Sequence, residues 1–338
     1  MPTPTLLLGA DTYHRLHRQL QQQGPRLNCV LLTAEGALRD TRGKPLAGDG
    51  SVAIDLAYGN GDTLLGDAAR SFLKIVMSTP GVDWLQSFAA GTEHPIFQRL
   101  GQHVQRFCTC HVQAEAMAEW ALWAALDCFR DGPGHRAAQA QALWQPRTTR
   151  EIAGSKWVII GFGAIGDAIA RRVRPLGAHV TGIRRTAPAE TNADRLLPEA
   201  TPELLGSADV VVLAVPYTAA THHMVNAEWL AQLSSKTLLL NLGRGGLIDE
   251  DALLSALDAG QPAHAWLDVT TEEPLPPASP LWQHPRITIT PHDSSHTEAT
   301  RARQDAFFLG NLERYLHNEP LLNMLPPDAF ADLSTNAS

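Results

Sequence analysis

A five-residue run, Lys156-Trp157-Val158-Ile159-Ile160, leads directly into Gly161-Phe162-Gly163-Ala164-Ile165-Gly166, and no other stretch of the 338 residues restricts the fold as strongly. A short apolar run bounded by glycine reads as a buried strand. A helical pattern follows from about Ala164 to Leu176. The glycines therefore fall between a strand and a helix, where G-x-G-x-x-G is the turn that cradles a dinucleotide pyrophosphate. Gly161 permits the tight turn, Gly163 lets the backbone approach the phosphates, and Gly166 lets helix and strand pack closely. Ala164 and Ile165 open the helix, whose free amides face an anion. Outside this context the same glycines would make an ordinary strand-helix turn.

The alternation continues downstream. Ala178–Ile183, Asp209–Ala214, Thr237–Asn241, Ala263–Val269 and Arg286–Thr290 are predicted strands, which with the first makes a doubly wound parallel sheet. The first hundred residues carry a weaker version. There Leu6–Leu8, Cys29–Leu32, Val52–Ile54 and Lys74–Met77 are predicted strands of a smaller, flavodoxin-like domain. Val112 to Phe129 reads as a long helix, Asp131 to Arg150 as an exposed arm, and Thr297 to His317 as a helix returning to the first domain. The predicted fold is α/β, with two Rossmann/flavodoxin-like domains, the larger one binding the dinucleotide. Residues 1–110 with 297–338 form the smaller, substrate-binding domain, and 111–296 form the larger.

The end of the second strand of the larger domain reports on the cofactor's 2'-position. An NAD-selecting carboxylate is expected about 20 residues after the glycines. Arg184, Arg185 and Thr186 stand there instead, and the next acidic residue, Glu190, is too far along. Two cations and a hydroxyl suit a 2'-phosphate, so NADP is expected over NAD.

Three segments carry candidate chemistry: Asn241-Leu242-Gly243-Arg244-Gly245-Gly246, Leu267-Asp268-Val269-Thr270-Thr271-Glu272-Glu273-Pro274, and Ile289-Thr290-Pro291-His292-Asp293. Each follows a predicted strand, and open α/β sheets bind ligands at strand carboxyl ends. Taken singly, an arginine in a glycine turn, a glutamate before proline and a histidine after proline are unremarkable. Together they supply an anion binder, a carboxylate and a proton donor.

These segments resemble those of the D-isomer-specific 2-hydroxyacid dehydrogenase family, and the resemblance extends over nearly the whole chain. Pro80-Gly81-Val82-Asp83 resembles the family's substrate-carboxylate loop, Ala114 to Glu119 the start of its interdomain helix, and Glu319 to Asn323 its tail. The compact spacing of Glu273 and His292 is most similar to the NADPH-dependent glyoxylate/hydroxypyruvate reductase branch. The resemblance implies that Arg244 binds the substrate carboxylate and polarises the keto oxygen. It implies that the Gly81 and Val82 amides hold the same carboxylate. His292 protonates the nascent alkoxide, and Glu273 pairs with it and favours its charged form. Asp268 and the Leu242-Gly243 backbone contact the nicotinamide side, while Val215, Pro216 and Thr221 line the cofactor groove. Trp120 departs from the family's usual histidine or tyrosine, and Asp293-Ser294-Ser295 replaces small apolar residues. Homodimerisation through the long helix and arm is also implied. A dinucleotide-sensing corepressor and a phosphite-oxidising relative share the fold and remain alternatives.

Composition excludes several partners. The formal net charge of −8 gives no reason to expect nucleic acid or an anionic membrane. No apolar run reaches the roughly 20 residues of a membrane span, and the N-terminus lacks the basic region of a signal peptide. Cys29, Cys108, Cys110 and Cys128 make no disulfide framework, so a cytoplasmic setting is expected. Cys108-Thr109-Cys110-His111 lacks a second ligand pair, so no metal is expected.

Overall fold

The computed structural model describes residues 2–47, 52–64, 67–92, 94–186 and 190–330. The chain divides into two compact units, Met1–Val112 with Glu298–Ser338, and Gln113–Thr297.

The first unit runs β1 (Thr5–Gly9), α1 (Ala10–Gln22), β2 (Asn28–Leu32), β3 (Leu38–Asp40) and β4 (Leu56–Gly59). It continues through α2 (Gly61–Leu64), α3 (Ala69–Ser78), β5 (Trp84–Ser87), α4 (Pro95–His103) and β6 (Arg106–Cys108). The sheet order is β3-β2-β1-β4-β5-β6, with β3 antiparallel to β2 and the other pairs parallel. Two predicted strands are corrected here. Val52–Ile54 precedes the strand, which begins at Leu56. Lys74–Met77 lies inside α3, where Phe72 and Val76, one helical turn apart, are the buried face. That segment has helical spacing and no glycine or proline, and burial of one stripe outweighs the β-branched pair Ile75-Val76.

The second unit runs α5 (Ala114–Phe129), α6 (Gly132–Ala140), β7 (Lys156–Ile160), α7 (Ala164–Val173), β8 (His179–Ile183) and β9 (Arg195–Leu197). It continues with α8 (Pro202–Gly206), β10 (Val210–Leu213), α9 (Ala227–Leu230), β11 (Leu238–Asn241), α10 (Glu250–Asp258), β12 (His264–Leu267) and β13 (Ile287–Ile289). The parallel order β13-β12-β11-β10-β7-β8-β9 reverses between β7 and β10, the switch point where doubly wound sheets bind ligands. Strand β9 is an addition to the sequence reading, and the expected arm contains α6. Ala114, Ala118, Ala121 and Ala125 recur at helical spacing on α5 and are buried with Ala168 and Ile169 of α7 in one core. Glu115 ties the two helices with ion pairs to Arg171 at 2.5 Å and Arg172 at 2.7 Å.

The last helix, α11 (Glu298–Leu316), belongs to the first unit. Phe308 stacks on Tyr58 with centroids 4.0 Å apart, and Asp305 accepts the Tyr58 hydroxyl at 3.1 Å.

Candidate active site

The glycine turn joins β7 to α7. Gly161 has φ +91°, and a Cβ there would stand 2.5 Å from the Ala214 carbonyl oxygen. Gly161 and Phe162 donate their amides to the Ile183 carbonyl, holding the turn against the end of β8. The Phe162 ring lies against Gly182, where any side chain would collide with it. Gly163, by contrast, faces open space and is exposed, so the backbone at the start of α7 is approachable. This is the fit that a pyrophosphate needs: a cradle without side chains, at a helix N-terminus in the switch-point crevice. Ala164 and Ile165 form the first residues of the helix, and a Cβ at Gly166 would stand only 3.1 Å from Ile159 and Phe162.

Arg184, Arg185 and Thr186 are all exposed immediately after β8. The Arg184 guanidinium donates to the Phe162 carbonyl at 3.2 Å, which brings its charge back over the glycine turn. On the other side of the switch point, Val215 and Pro216 follow β10. Thr221 stabilises their turn by donating to the Pro216 carbonyl at 2.9 Å and accepting the Thr218 amide at 2.8 Å.

Arg244 follows β11. Asn241 braces its turn, accepting the Gly243 amide at 3.0 Å and donating to the Arg244 carbonyl at 3.0 Å. Leu242 is buried, and the Arg244 guanidinium donates to the Gly243 carbonyl at 2.8 Å. A Cβ at Gly245 would overlap the Thr270 carbonyl, so glycine there lets the Arg244 loop lie directly against the loop after β12. Glu273 is on that second loop. Its Oε1 accepts the Thr270 amide at 3.1 Å, and its Oε2 lies 2.8 Å from His292 Nδ1. The pair is half exposed, at 48% for the His292 side chain and 38% for Glu273, so its outer face is open to a small molecule. A carboxylate accepts only, so Nδ1 carries the hydrogen and Nε2 is the nitrogen left for a substrate.

His292 follows β13 with φ +54°, a left-handed conformation that costs a non-glycine residue about 1–2 kcal/mol. Asp268 holds it there. The Asp268 carbonyl accepts the His292 amide at 2.8 Å, and its carboxylate accepts the Asp293 and Ser294 amides at 3.0 Å each. The same carboxylate receives the hydroxyls of Thr290 and Ser294. Asp268 is 2% exposed, so this clamp is internal to the turn. Ser294, an unusual residue for the resembled pattern, is thereby one of its donors.

The structure corrects one site expectation. Gly81 and Val82 precede β5 and lie at its amino end, the edge of a parallel sheet opposite to ligand binding. Val82 is fully buried in the core of the first unit. The loop at the carboxyl end of β5 is Phe88 to Thr92. Ala89 there donates its amide to Ser87 Oγ at 3.0 Å, and its carbonyl accepts the Cys110 amide at 3.0 Å. The expectation rested on the likeness of Pro80-Gly81-Val82-Asp83 to the family's loop, and that segment joins α3 to the start of β5. The signal in the sequence was Trp84-Leu85-Gln86-Ser87 followed by the small residues Ala89-Ala90-Gly91.

Residues 122–294, just over half the chain, match the family described as D-isomer specific 2-hydroxyacid dehydrogenase, NAD binding domain. The chain belongs to the D-isomer-specific 2-hydroxyacid dehydrogenase family, and the matched stretch, all within the second unit, corresponds to that family's NAD-binding domain. It is similar to an uncharacterized protein in the proB 3' region of Corynebacterium melassecola, 33% identical over 196 residues. The match covers 55% of this chain and 64% of that relative's length. A family member from Aeromonas salmonicida is 28% identical with a TM-score of 0.75, covering 96% of this chain and 100% of that one. A D-isomer specific 2-hydroxyacid dehydrogenase from Xanthobacter autotrophicus, solved with NADPH and MES, is 26% identical with a TM-score of 0.73. That match covers 98% of this chain and 100% of the other.

Proposed function

We propose that this chain is an NADPH-preferring reductase of small 2-ketoacids, of the glyoxylate or hydroxypyruvate kind, giving the D-2-hydroxyacid where the product is chiral. The observation that carries the proposal is the His292–Glu273 pair at 2.8 Å on adjacent loops at the strand ends of a dinucleotide-binding unit. Bound nicotinamide, when reduced, supplies a hydride to the carbonyl carbon. The protein has to supply a proton for the oxygen and positive charge for the carboxylate and the developing alkoxide. His292 Nε2 supplies the proton. Arg244, on the loop that Gly245 presses against Thr270, supplies the charge. Glu273 fixes the ring so that Nε2 faces outward, and it balances the charge of the donor.

Gly161, Gly163, Ala164, Ile165 and Gly166 hold the pyrophosphate, and Arg184, Arg185 and Thr186 hold a 2'-phosphate. Val215, Pro216, Thr221, Leu242 and Gly243 line the groove. Asp268 acts on the nicotinamide side as the anchor of the His292 turn. In the first unit, the candidate for binding a substrate carboxylate is the Phe88–Thr92 loop, at the carboxyl end of β5. The compact Glu273-to-His292 spacing supports the glyoxylate/hydroxypyruvate assignment, and the paired arginines after β8 support the cofactor preference.

A panel of 2-ketoacids with NADPH and with NADH, followed by loss of reduced-nicotinamide absorbance, tests the reading. Turnover of small ketoacids with NADPH is the expected result. Activity confined to bulky branched or aromatic ketoacids would remove the substrate assignment and leave the reductase.

A further inference from the structure

We propose that Trp120 is a positioning residue for the proton donor: its indole N–H, acting through Thr290 and Asp268, sets the turn that presents His292. The proposal rests on the reading of His292 as proton donor and extends its support to α5, which reaches the His292 turn through Thr290.

Trp120 lies on α5 and is 6% exposed. Its Nε1 donates to Thr290 Oγ1 at 3.0 Å, and Thr290 Oγ1 lies 2.6 Å from Asp268 Oδ1. An indole only donates and an ionised carboxylate only accepts. The Thr290 hydroxyl must therefore accept from Trp120 and donate to Asp268, so the chain has one direction and no rotational freedom. Asp268 Oδ1 is also the atom that receives the Asp293 and Ser294 amides, and the Asp268 carbonyl receives the His292 amide. The turn carrying His292 thus hangs from one buried aspartate, and the orientation of that carboxylate is set in part by Trp120.

The same indole is packed against the strand that leads into Asp268. Its ring stands at 80° to Trp266 with centroids 5.7 Å apart, and Trp266 is two residues before Asp268 on β12. Trp120 therefore reaches both the strand that leads into the aspartate and the hydroxyl that orients it. His292 is where such bracing has an effect, because its left-handed backbone persists only while surrounding bonds hold it. A ring lacking the N–H would retain the packing and lose the relay, which separates positioning from space-filling.

The test uses the full chain with Trp120→Phe, Thr290→Val and the double variant, and Trp229→Phe as a tryptophan control away from the site. Two quantities are read: kcat for 2-ketoacid reduction at saturating NADPH, and the His292 imidazole Cε1–H signal in histidine-labelled protein, assigned by its loss in His292→Gln. Trp120→Phe should lower kcat about 3- to 10-fold, the loss of one buried hydrogen bond. It should shift the His292 signal and leave NADPH affinity within about twofold. The double variant should be no worse than Thr290→Val alone, because both remove the same chain, and Trp229→Phe should change neither quantity. Additive losses in the double variant, or an unmoved His292 signal in Trp120→Phe, would overturn the proposal. If Trp120→Phe does not fold, an unmoved signal in folded Thr290→Val overturns it equally. A wild-type protein that binds NADPH and reduces no ketoacid would defeat the proposed function, while the His292 signal would still decide the relay.

Discussion

Glu273 accepts hydrogen bonds on both carboxylate oxygens, from the Thr270 amide at 3.1 Å and from His292 Nδ1 at 2.8 Å. One oxygen fixes the carboxylate to its own loop, and the other fixes the imidazole ring on the neighbouring loop. Glu273→Gln keeps the size and one acceptor but removes the charge. A hydrogen bond to a charged group is worth about 1.5–3 kcal/mol, and partial exposure of the pair places the effect toward the lower end. The expected outcome is a kcat loss on the order of 10-fold with the NADPH Michaelis constant unchanged. Steady-state kinetics check it, and wild-type kcat in the variant would remove Glu273 from the site.

Arg184 and Arg185 are expected to carry the preference for NADPH. Replacing both with alanine should raise the NADPH Michaelis constant by roughly 10-fold or more, at about 1.5–3 kcal/mol for each charge-assisted bond lost. NADH kinetics should change little. Equal losses with the two cofactors would show that the pair supports the glycine turn, through the Arg184 bond to the Phe162 carbonyl, rather than a 2'-phosphate.

The second unit exposes apolar surface along α5 and the segment after α6. Trp123 is 51% exposed, Leu126 41%, Leu143 54% and Trp144 97%. A nearly bare tryptophan on an apolar face is the mark of an interaction surface, and the expected partner is a second copy of this chain. Light scattering at micromolar concentration should give the dimer mass, and Trp144→Asp with Leu143→Asp should shift it toward the monomer. A monomeric wild-type protein would contradict the assignment.

Acid stability should depend on His264. Burial is the main cause that lowers its pKa from 6.5 to about 4; His284 and Arg286 act in the same direction and Asp127 opposes them. In the unfolded chain the imidazole protonates at its ordinary value, and in the folded chain it stays neutral until about pH 4. Its contribution to stability is therefore complete above the unfolded value and is lost as pH falls through that window. His264→Gln keeps a hydrogen-bonding group near Thr288 Oγ1, the 3.0 Å partner of the imidazole. Between those pH values, the slope of unfolding free energy against pH should drop by up to about 1.4 kcal/mol per pH unit. Denaturant melts at several pH values measure it, and an unchanged slope would mean that His264 is solvated when folded.

The α/β class and the dinucleotide turn were legible because their signals are local. Within six residues Gly161 is required by its positive φ, Gly166 by close packing and Gly163 keeps the helix start open, while β10 and all but the first residue of β7 are buried runs. Val52–Ile54 and Lys74–Met77 were not legible, because short apolar runs fit a strand or one face of a helix equally well, and only the buried stripe of Phe72 and Val76 decides. The Gly81 and Val82 expectation failed differently: a short Gly-x-Asp likeness carries no information on which end of a strand it occupies, and Gly81 precedes β5. The clamp at Asp268 was also invisible. Its donors lie on a turn 22 to 26 residues away in sequence, and nothing in the spacing of Thr290 or Ser294 announces a shared acceptor.

In the proposed reaction His292 delivers a proton to a ketoacid oxygen while a bound reduced nicotinamide supplies the hydride. The most direct measurement is the rate of NADPH oxidation with glyoxylate in the wild-type chain and in His292→Ala, with NADPH affinity measured in parallel. Turnover in the wild type and a loss of roughly 10²- to 10⁴-fold in the variant are expected, with NADPH affinity retained. Undiminished turnover in His292→Ala, with the protein folded and NADPH bound, would contradict it.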